Sequence, residues 1–374
     1  MPDGSTGLDA LRIARKGRGA THNPANRHEA ATRDAFDDGW GTLAEALADL
    51  PPLATTLTRD HARSAIAWNE SPDLGFDRAV NPYRGCEHGC VYCYARPSHA
   101  HLGLSPGLDF ESRLLYKPDV ADLLARELRR PGYAADGVRP ITLGSNTDPY
   151  QPAERTLRLT RAVLEVLDAH DHPVTVVTKS AGVLRDLDIL SRMARRNLAQ
   201  VCVSVTTLDD RLARTMEPRA ATPARRLAAL RDLSASGVPT AILAAPMIPA
   251  VNDAEMERIL AAGRAAGATR AGYVLLRLPL EVADLFEAWL RAHLPDRAAR
   301  VLALVRETRG GHLYAARFGE RMRGTGPFAE ALAARFRLAL RRHGFESETN
   351  TGRAPLDCAR FRVPTADARQ PALL

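Results

Sequence analysis

Three cysteines, Cys86, Cys90 and Cys93, fall within eight residues of the 374-residue chain, in the stretch NPYRGCEHGCVYCYARP that runs from Asn81 to Pro97. Gly85 and Gly89 let the backbone turn tightly there, so the three sulfurs can be brought to one side and onto one small inorganic centre. A cubane iron-sulfur cluster takes one cysteine per iron, and a loop that supplies three leaves the fourth iron open to a ligand that is not protein. Other readings compete. An odd set of three cannot pair off into disulfides, and no secretory pattern is read at the N-terminus. Zinc would need a fourth ligand from His88, His99 or His101, and Cys-x3-Cys-x2-Cys is not the usual pair-of-pairs zinc spacing.

Such a loop needs a scaffold, and from Asp77 onward the chain reads as strands alternating with helices. Strands are expected at 78–83, leading straight into the cysteine loop, and at 140–143, 173–178, 200–205, 239–244 and 273–278. Val120, Leu123, Leu124, Glu127 and Leu128 keep helical spacing behind Asp119 as a cap. Further helices are expected at 156–170 and 183–196, and others open at Thr222-Pro223, a capping residue before a first-turn proline, and at Asn252-Asp253. Six strands separated by helices imply parallel pairing through right-handed crossovers, as a doubly wound open sheet or a partly closed (β/α) barrel.

Outside this core, residues 1–58 read as a basic, largely irregular extension, with a short helix expected at 40–50 before Pro51-Pro52. Residues 59–280 make the core, and residues 281–374 a helical C-terminal region and tail. There Val282, Leu285, Phe286, Trp289 and Leu290 form one apolar stripe and Phe328, Leu332, Phe336 and Leu340 another, both expected to pack on the core and cover its open side.

With 45% hydrophobic and 25% charged residues and no apolar run of membrane-spanning length, the composition is that of a soluble, cytoplasmic protein. A formal charge of +7 permits polyanion binding without requiring it. All but three of the 51 Lys and Arg residues are Arg, the exceptions being Lys16, Lys117 and Lys179. In so Arg-biased a chain, a retained lysine points to a place where a compact ammonium fits and a guanidinium fork does not.

Ligands of parallel α/β folds collect at the C-terminal ends of the strands. The second expected strand ends in Ser145, Asn146, Thr147 and Asp148, short polar groups suited to an ammonium or to hydroxyls, and equally to a plain turn. The third ends in Thr178-Lys179-Ser180, where the lysine can pair with a carboxylate. Glu217 and Arg219 follow the fourth, either as charges of a site or as a surface ion pair. Cys202 reads as a small core residue, and Cys358 as a packed or surface thiol rather than a fourth ligand.

Cys86-x3-Cys90-x2-Cys93, with Tyr92 before the last cysteine, resembles the cluster motif of the radical S-adenosylmethionine (SAM) superfamily. The stretches SPDLGFDRAVNPYRGCEHGCVYCYARP and SNTDPYQPAE resemble, more narrowly, the bacterial proteins related to spore photoproduct lyase, the DNA repair photolyase-like group, over residues 59–249 and more weakly at 356–364. The resemblance implies the fold, an α/β chain forming a partial (β/α)6 radical SAM barrel with a basic N-terminal extension and a C-terminal helical addition. It implies a [4Fe-4S] cluster on Cys86, Cys90 and Cys93 and SAM as cofactors, with Tyr92 and Tyr94 beside the cluster. By the same resemblance Ser145, Asn146, Thr147 and Asp148 contact the SAM amino group, Lys179 its carboxylate, and Ser204 lies near its ribose.

The activity so implied is reductive cleavage of SAM to a 5'-deoxyadenosyl radical, fed by a one-electron reductant such as flavodoxin or ferredoxin. It would be of lyase or oxidoreductase type, on a substrate for which nucleic acid is the leading class. One departure matters. Spore photoproduct lyase carries a hydrogen-donating cysteine near the position of Ser145, and here no cysteine lies between Tyr94 and Val201, so the resemblance does not carry that repair reaction over. Two readings from other classes stand beside it: a zinc-stabilised nucleic-acid-binding protein without catalysis, and an iron-sulfur protein that only senses redox state or passes electrons.

Overall fold

The computed structural model describes residues 15–28, 53–345 and 356–364, so the helix expected at 40–50 lies outside the described residues. The strands are β1 (Thr56–Arg59), β2 (Ile66–Trp68), β3 (Arg78–Val80), β4 (Tyr83–Arg84), β5 (Arg113–Tyr116), β6 (Ile141–Leu143), β7 (Val174–Thr178), β8 (Ala199–Ser204), β9 (Thr240–Met247) and β10 (Arg270–Leu275). The helices are α1 (Leu108–Ser112), α2 (Val120–Leu128), α3 (Glu154–Leu157), α4 (Leu159–Ala169), α5 (Leu187–Ala194), α6 (Asp210–Met216), α7 (Pro223–Ala235), α8 (Met256–Ala265), α9 (Val282–His293), α10 (Pro295–Glu307) and α11 (Gly326–His343).

Seven strands make one curved sheet in the order β10-β9-β8-β7-β6-β3-β2, parallel throughout except for the β2–β3 pair. This is the partial barrel: β10 and β2 are its edges and do not pair with each other. The six expected strands are its parallel members. Three differ in extent, β9 running on to Met247. The first stops at Val80, because Pro82 has no N–H for a ladder, and the chain then changes sheets, β4 pairing with β5 beside β1. The last lies three residues earlier than expected, at Arg270–Leu275, and the apolar Leu276 and Leu278 pack beneath α9 instead. The helix expected at 156–170 is broken at Arg158, whose φ is +52°.

Alternation along the strands sets what each face does. Val174, Val176, Val201, Val203 and Ile242 are fully buried against α4, α5, α7 and α8 beside the smaller Ala244, each of the five contributing about 1.5–3 kcal/mol. Thr175, Val177, Gln200, Cys202 and Leu243 are half-buried on the other, concave face. The register pairs Val177 with Cys202 and Ser204 with Leu243, so Cys202 and Ser204 both face the concavity. Cys202 is therefore not in the apolar layer where its valine neighbours suggested it would lie.

The first C-terminal stripe, on α9, is buried with α10 against Val91, Tyr92, Met216 and Ile248, and Trp289 Nε1 donates to Thr215 O at 3.0 Å. This layer covers the cysteine loop. The second, on α11, packs on α8 and β10, with Phe336 against Tyr273 at 4.7 Å between ring centroids. Between them, residues 311–325 form a strap: Leu275 N donates to Met322 O, while Gly319 N and Arg321 Nε each donate to Asp73 at 2.6 Å. The strap thus links β10, one edge of the sheet, to the loop that joins β2 and β3 at the other. Residues 356–364 dock at the N-terminal ends of β7 and β8, where Asp357 N donates to Asn197 O and Arg362 N to His170 O. Cys358 therefore lies at the opposite end of the sheet from Cys86, Cys90 and Cys93.

Candidate active site

The cysteine loop leaves the C-terminal end of β3 and β4, at the mouth of the concave face. Gly85 and Gly89 have φ of +79° and +67°, and a Cβ at Gly85 would come within 2.8 Å of His99 and of Phe110 O. The backbone is pinned by Cys86 N to Phe110 O at 2.9 Å and Val91 N to Met216 O at 3.0 Å. Gln151 clips the loop from the next strand end: its Oε1 accepts from Glu87 N at 2.9 Å and its Nε2 donates to Gly85 O at 3.2 Å.

Beneath the loop, Arg96 and Glu111 are fully buried and paired. Arg96 also donates to Cys90 O at 2.9 Å and to Gly107 O, while Glu111 accepts Gly19 N at 2.9 Å and Ala20 N at 2.8 Å. A buried ion pair is tolerated only when its remaining hydrogen-bonding sites are filled. Here residues 15–28, from the basic extension, help to fill them. Arg18 adds a bond to Glu111 O, and Asn26 donates to Ala100 O at 2.9 Å.

Cys86 and Cys90 are buried and Cys93 is half-buried. Burial pushes all three thiols above their ordinary range, Cys86 far above it, and the charges of Asp148 near Cys86 and Glu217 near Cys90 add to the effect. A metal centre that takes the place of the protons removes that penalty, since coordination deprotonates a thiol outright. The donor set suits a cluster better than a single ion. Among the described residues no three His, Cys, Asp or Glu side chains gather to hold one metal ion. The histidines that a zinc site would need are engaged elsewhere: His88 on Asp148 at 3.3 Å, His99 on Arg113 O at 3.0 Å and His101 beside Arg27 and His28.

The turn after β6 divides into two kinds of residue. Asn81 organises it, donating to Ser145 Oγ at 3.1 Å and accepting from Asn146 N at 3.0 Å. Thr147 Oγ1 donates to Tyr83 O at 3.1 Å. Asp148 accepts from Thr178 Oγ1 and Lys179 N, both at 2.7 Å, and faces His88; burial works against its charge, but His88 and these bonds hold its carboxyl below the ordinary range. By contrast the side chains of Asn146, half-buried, and Ser204 have no hydrogen-bond partner among the described residues.

The Glu217 side chain, which the sequence left open between a charge of the site and a surface ion pair, is settled by its burial. It is not part of a surface ion pair: it is fully buried, bonded to Arg226, and accepts from both Tyr92 OH and Thr206 Oγ1. Lys179 Nζ lies 3.4 Å from it, donates to Thr206 Oγ1 at 2.9 Å and Ala245 O at 3.0 Å, and stands 5.6 Å from the Tyr92 ring centroid. Burial opposes the charge of Glu217, but Arg226 and then Lys179 hold its carboxyl far below the ordinary range. Arg219, its neighbour, pairs with Glu87 at 3.2 Å. The available signal was Arg226, nine positions on and inside the helix opened by Thr222-Pro223. Tyr94 is nearly half exposed at the mouth, its hydroxyl donating to Ser145 O and its ring under Arg277.

A protein-family model, the radical SAM superfamily, matches residues 80–262, which run from the strand before the cysteine loop to α8. An uncharacterised protein of Mycobacterium tuberculosis is 34% identical over 304 residues, covering 79% of this chain and 86% of that protein. One of Methanocaldococcus jannaschii is 26% identical over 181 residues, or 48% of this chain and 64% of that one. Among solved structures, a spore photoproduct lyase variant superposes with a TM-score of 0.58 at 18% identity, covering 77% of this chain and 79% of that chain. Spore photoproduct lyase complexed with dinucleoside spore photoproduct gives 0.54 at 15% identity, over 77% and 79%. The family model spans the cysteine loop and the strands behind it, the fold agrees, and a [4Fe-4S] cluster and SAM are the cofactors that follow from the family: the chain belongs to the radical SAM superfamily.

Proposed function

We propose that this chain binds a [4Fe-4S] cluster through Cys86, Cys90 and Cys93, takes SAM at the open iron and acts on nucleic acid. The observation that carries the reading is the loop: three thiols in a braced, mostly buried turn at the C-terminal ends of parallel strands. When bound, the cluster supplies the electron that splits SAM into methionine and a 5'-deoxyadenosyl radical, which takes a hydrogen atom from the substrate. The residues of the chain position and shield. Arg96 and Gln151 fix the shape of the loop, and Tyr92, Val91 and α9 keep water from one side of it. Arg226 largely neutralises Glu217, which leaves the positive charge of Lys179 for the SAM carboxylate. Asn146 and Ser204 offer free polar groups to the amino group and ribose, while Ser145, Thr147 and Asp148 shape the turn that presents them. A small one-electron donor of the flavodoxin or ferredoxin type supplies the electron.

Nucleic acid as substrate is supported by the charge of +7 and by the spore photoproduct lyase structure that holds a dinucleoside lesion on this fold. The thiol route of that enzyme does not carry over, because Ser145 stands in the turn where its hydrogen-donating thiol is expected. The test is anaerobic reconstitution, reduction with dithionite and addition of SAM, with 5'-deoxyadenosine followed by chromatography and iron and zinc measured on the same sample. Deoxyadenosine that vanishes in a Cys90→Ala variant, together with lost iron, is the expected result. Full iron content in that variant, or zinc with no deoxyadenosine, overturns the assignment.

A further inference from the structure

Arg277 follows β10 at the mouth of the concave face, half-buried, with its guanidinium carbon 4.4 Å from the Tyr94 ring centroid and Nη1 donating to the Met322 sulfur at 3.2 Å. Among the described residues it has no carboxylate partner. By contrast Arg96 pairs with Glu111, Arg226 with Glu217, Arg219 with Glu87 and Arg321 with Asp73. Near it Arg309 is buried and also without an acid; its two Nη groups donate to the carbonyls of Leu275, Leu276, Glu320 and Arg321, and its buried Nε has no partner among the described residues.

Two guanidinium groups without a carboxylate, near enough for the charge of Arg277 to act on Arg309, form a local excess of positive charge in a poorly solvated place. The effect is visible on Arg309, which burial and then the charge of Arg277 hold down at about 10. Stacking on Tyr94 fixes the plane of the Arg277 fork, the geometry in which a guanidinium takes two oxygens of a phosphate at once. The two cations of the mouth also lie at different depths. Lys179 is 16% exposed and already contacts Glu217, whereas Arg277 stacks on a ring that is 46% exposed.

We propose that Arg277 is the anchor for an anionic group of the substrate, taking a phosphate of single-stranded nucleic acid at the barrel mouth, against Tyr94. The proposal rests on nucleic acid being the substrate, and it leaves the SAM carboxylate to Lys179.

The test uses the full-length, cluster-loaded protein and a fluorescently labelled oligothymidylate titrated at several potassium chloride concentrations, with SAM affinity measured on the same samples. Arg277→Gln should weaken oligonucleotide binding about tenfold and lower the slope of log affinity against log salt by about 0.7, one single-strand phosphate contact. Arg277→Lys keeps the charge and loses the fork, so it should retain most of the slope while binding the oligonucleotide about threefold more weakly, and it carries the test if the Gln variant fails to load its cluster. SAM affinity should be unchanged in both. Oligonucleotide binding equal to wild type in Arg277→Gln, no binding by the wild-type protein, or a loss confined to SAM each overturns the proposal, the last by giving Arg277 to the SAM carboxylate. Arg277-dependent oligonucleotide binding by a protein that makes no 5'-deoxyadenosine would keep this anchor and discard the catalytic reading.

Discussion

The Lys179 ammonium lies 3.4 Å from a Glu217 oxygen, yet the carboxylate is bonded first to Arg226, which is itself buried. The two cations are therefore not equivalent. Removing Arg226 (Arg226→Met) strands a buried carboxylate and should cost about 3–5 kcal/mol, the usual consequence of breaking a buried pair from one side. Lys179→Met leaves Glu217 with Arg226, Tyr92 and Thr206 and should cost well under half as much. Urea midpoints of the two variants, compared at equal slope, decide the order.

Free and engaged polar groups at the end of β6 should separate in function. Asn146→Ala is expected to weaken SAM binding by about tenfold and leave the melting temperature unchanged, because its side chain holds nothing in the fold. Asp148→Ala should do the reverse first, losing charged hydrogen bonds worth about 1.5–3 kcal/mol each before any effect on SAM. Calorimetric titration and thermal unfolding on the same pair of proteins check this.

The segment 15–28 is expected to protect the cluster. A protein that starts at residue 53 deprives Glu111 of the Gly19 and Ala20 N–H groups and Glu111 O of Arg18. Unsatisfied buried acceptors cost about 1–3 kcal/mol each. Truncation should therefore lower the urea midpoint and speed the loss of visible absorbance in air. Equal bleaching rates with and without the segment would remove it from that role.

Acid should destabilise the protein through His172 at the far end of the sheet. Its neutral ring accepts from Tyr133 OH at 2.8 Å, donates from Nδ1 to Pro173 O at 2.9 Å and meets the Phe361 ring, near Arg78 and His170. Burial holds it down at about 4, against 6.5 when free. Between those values the unfolded chain binds a proton that the native one refuses, so stability falls as pH drops through that window, by about 3 kcal/mol in all. His172→Gln should flatten the dependence over the same range; an unchanged slope would assign acid sensitivity to other groups.

What could be read from the sequence followed the range of the interactions involved. Cys86, Cys90 and Cys93 stood out because a ligand loop is local, and the parallel strands because Val174, Val176, Val201 and Val203 alternate within a few residues of one another. The burial of Glu217 depends on Arg226 and on Lys179, which reaches it from a neighbouring strand end, and no local pattern announces such a meeting. Tyr83–Arg84 is too short a strand to show any alternation and is defined only by pairing with β5, about thirty residues on. The face of Ser204 became definite only through its register with Leu243, since one step of slippage would turn it to the other side.

Arg321 and Asp73 join the two free margins of the sheet through a part-buried side-chain link, so that strand ladder and strap are tied together across the concavity. While that link holds, the two margins cannot spread independently of each other, so the width of the concavity depends on one ion pair between segments about 250 residues apart in sequence.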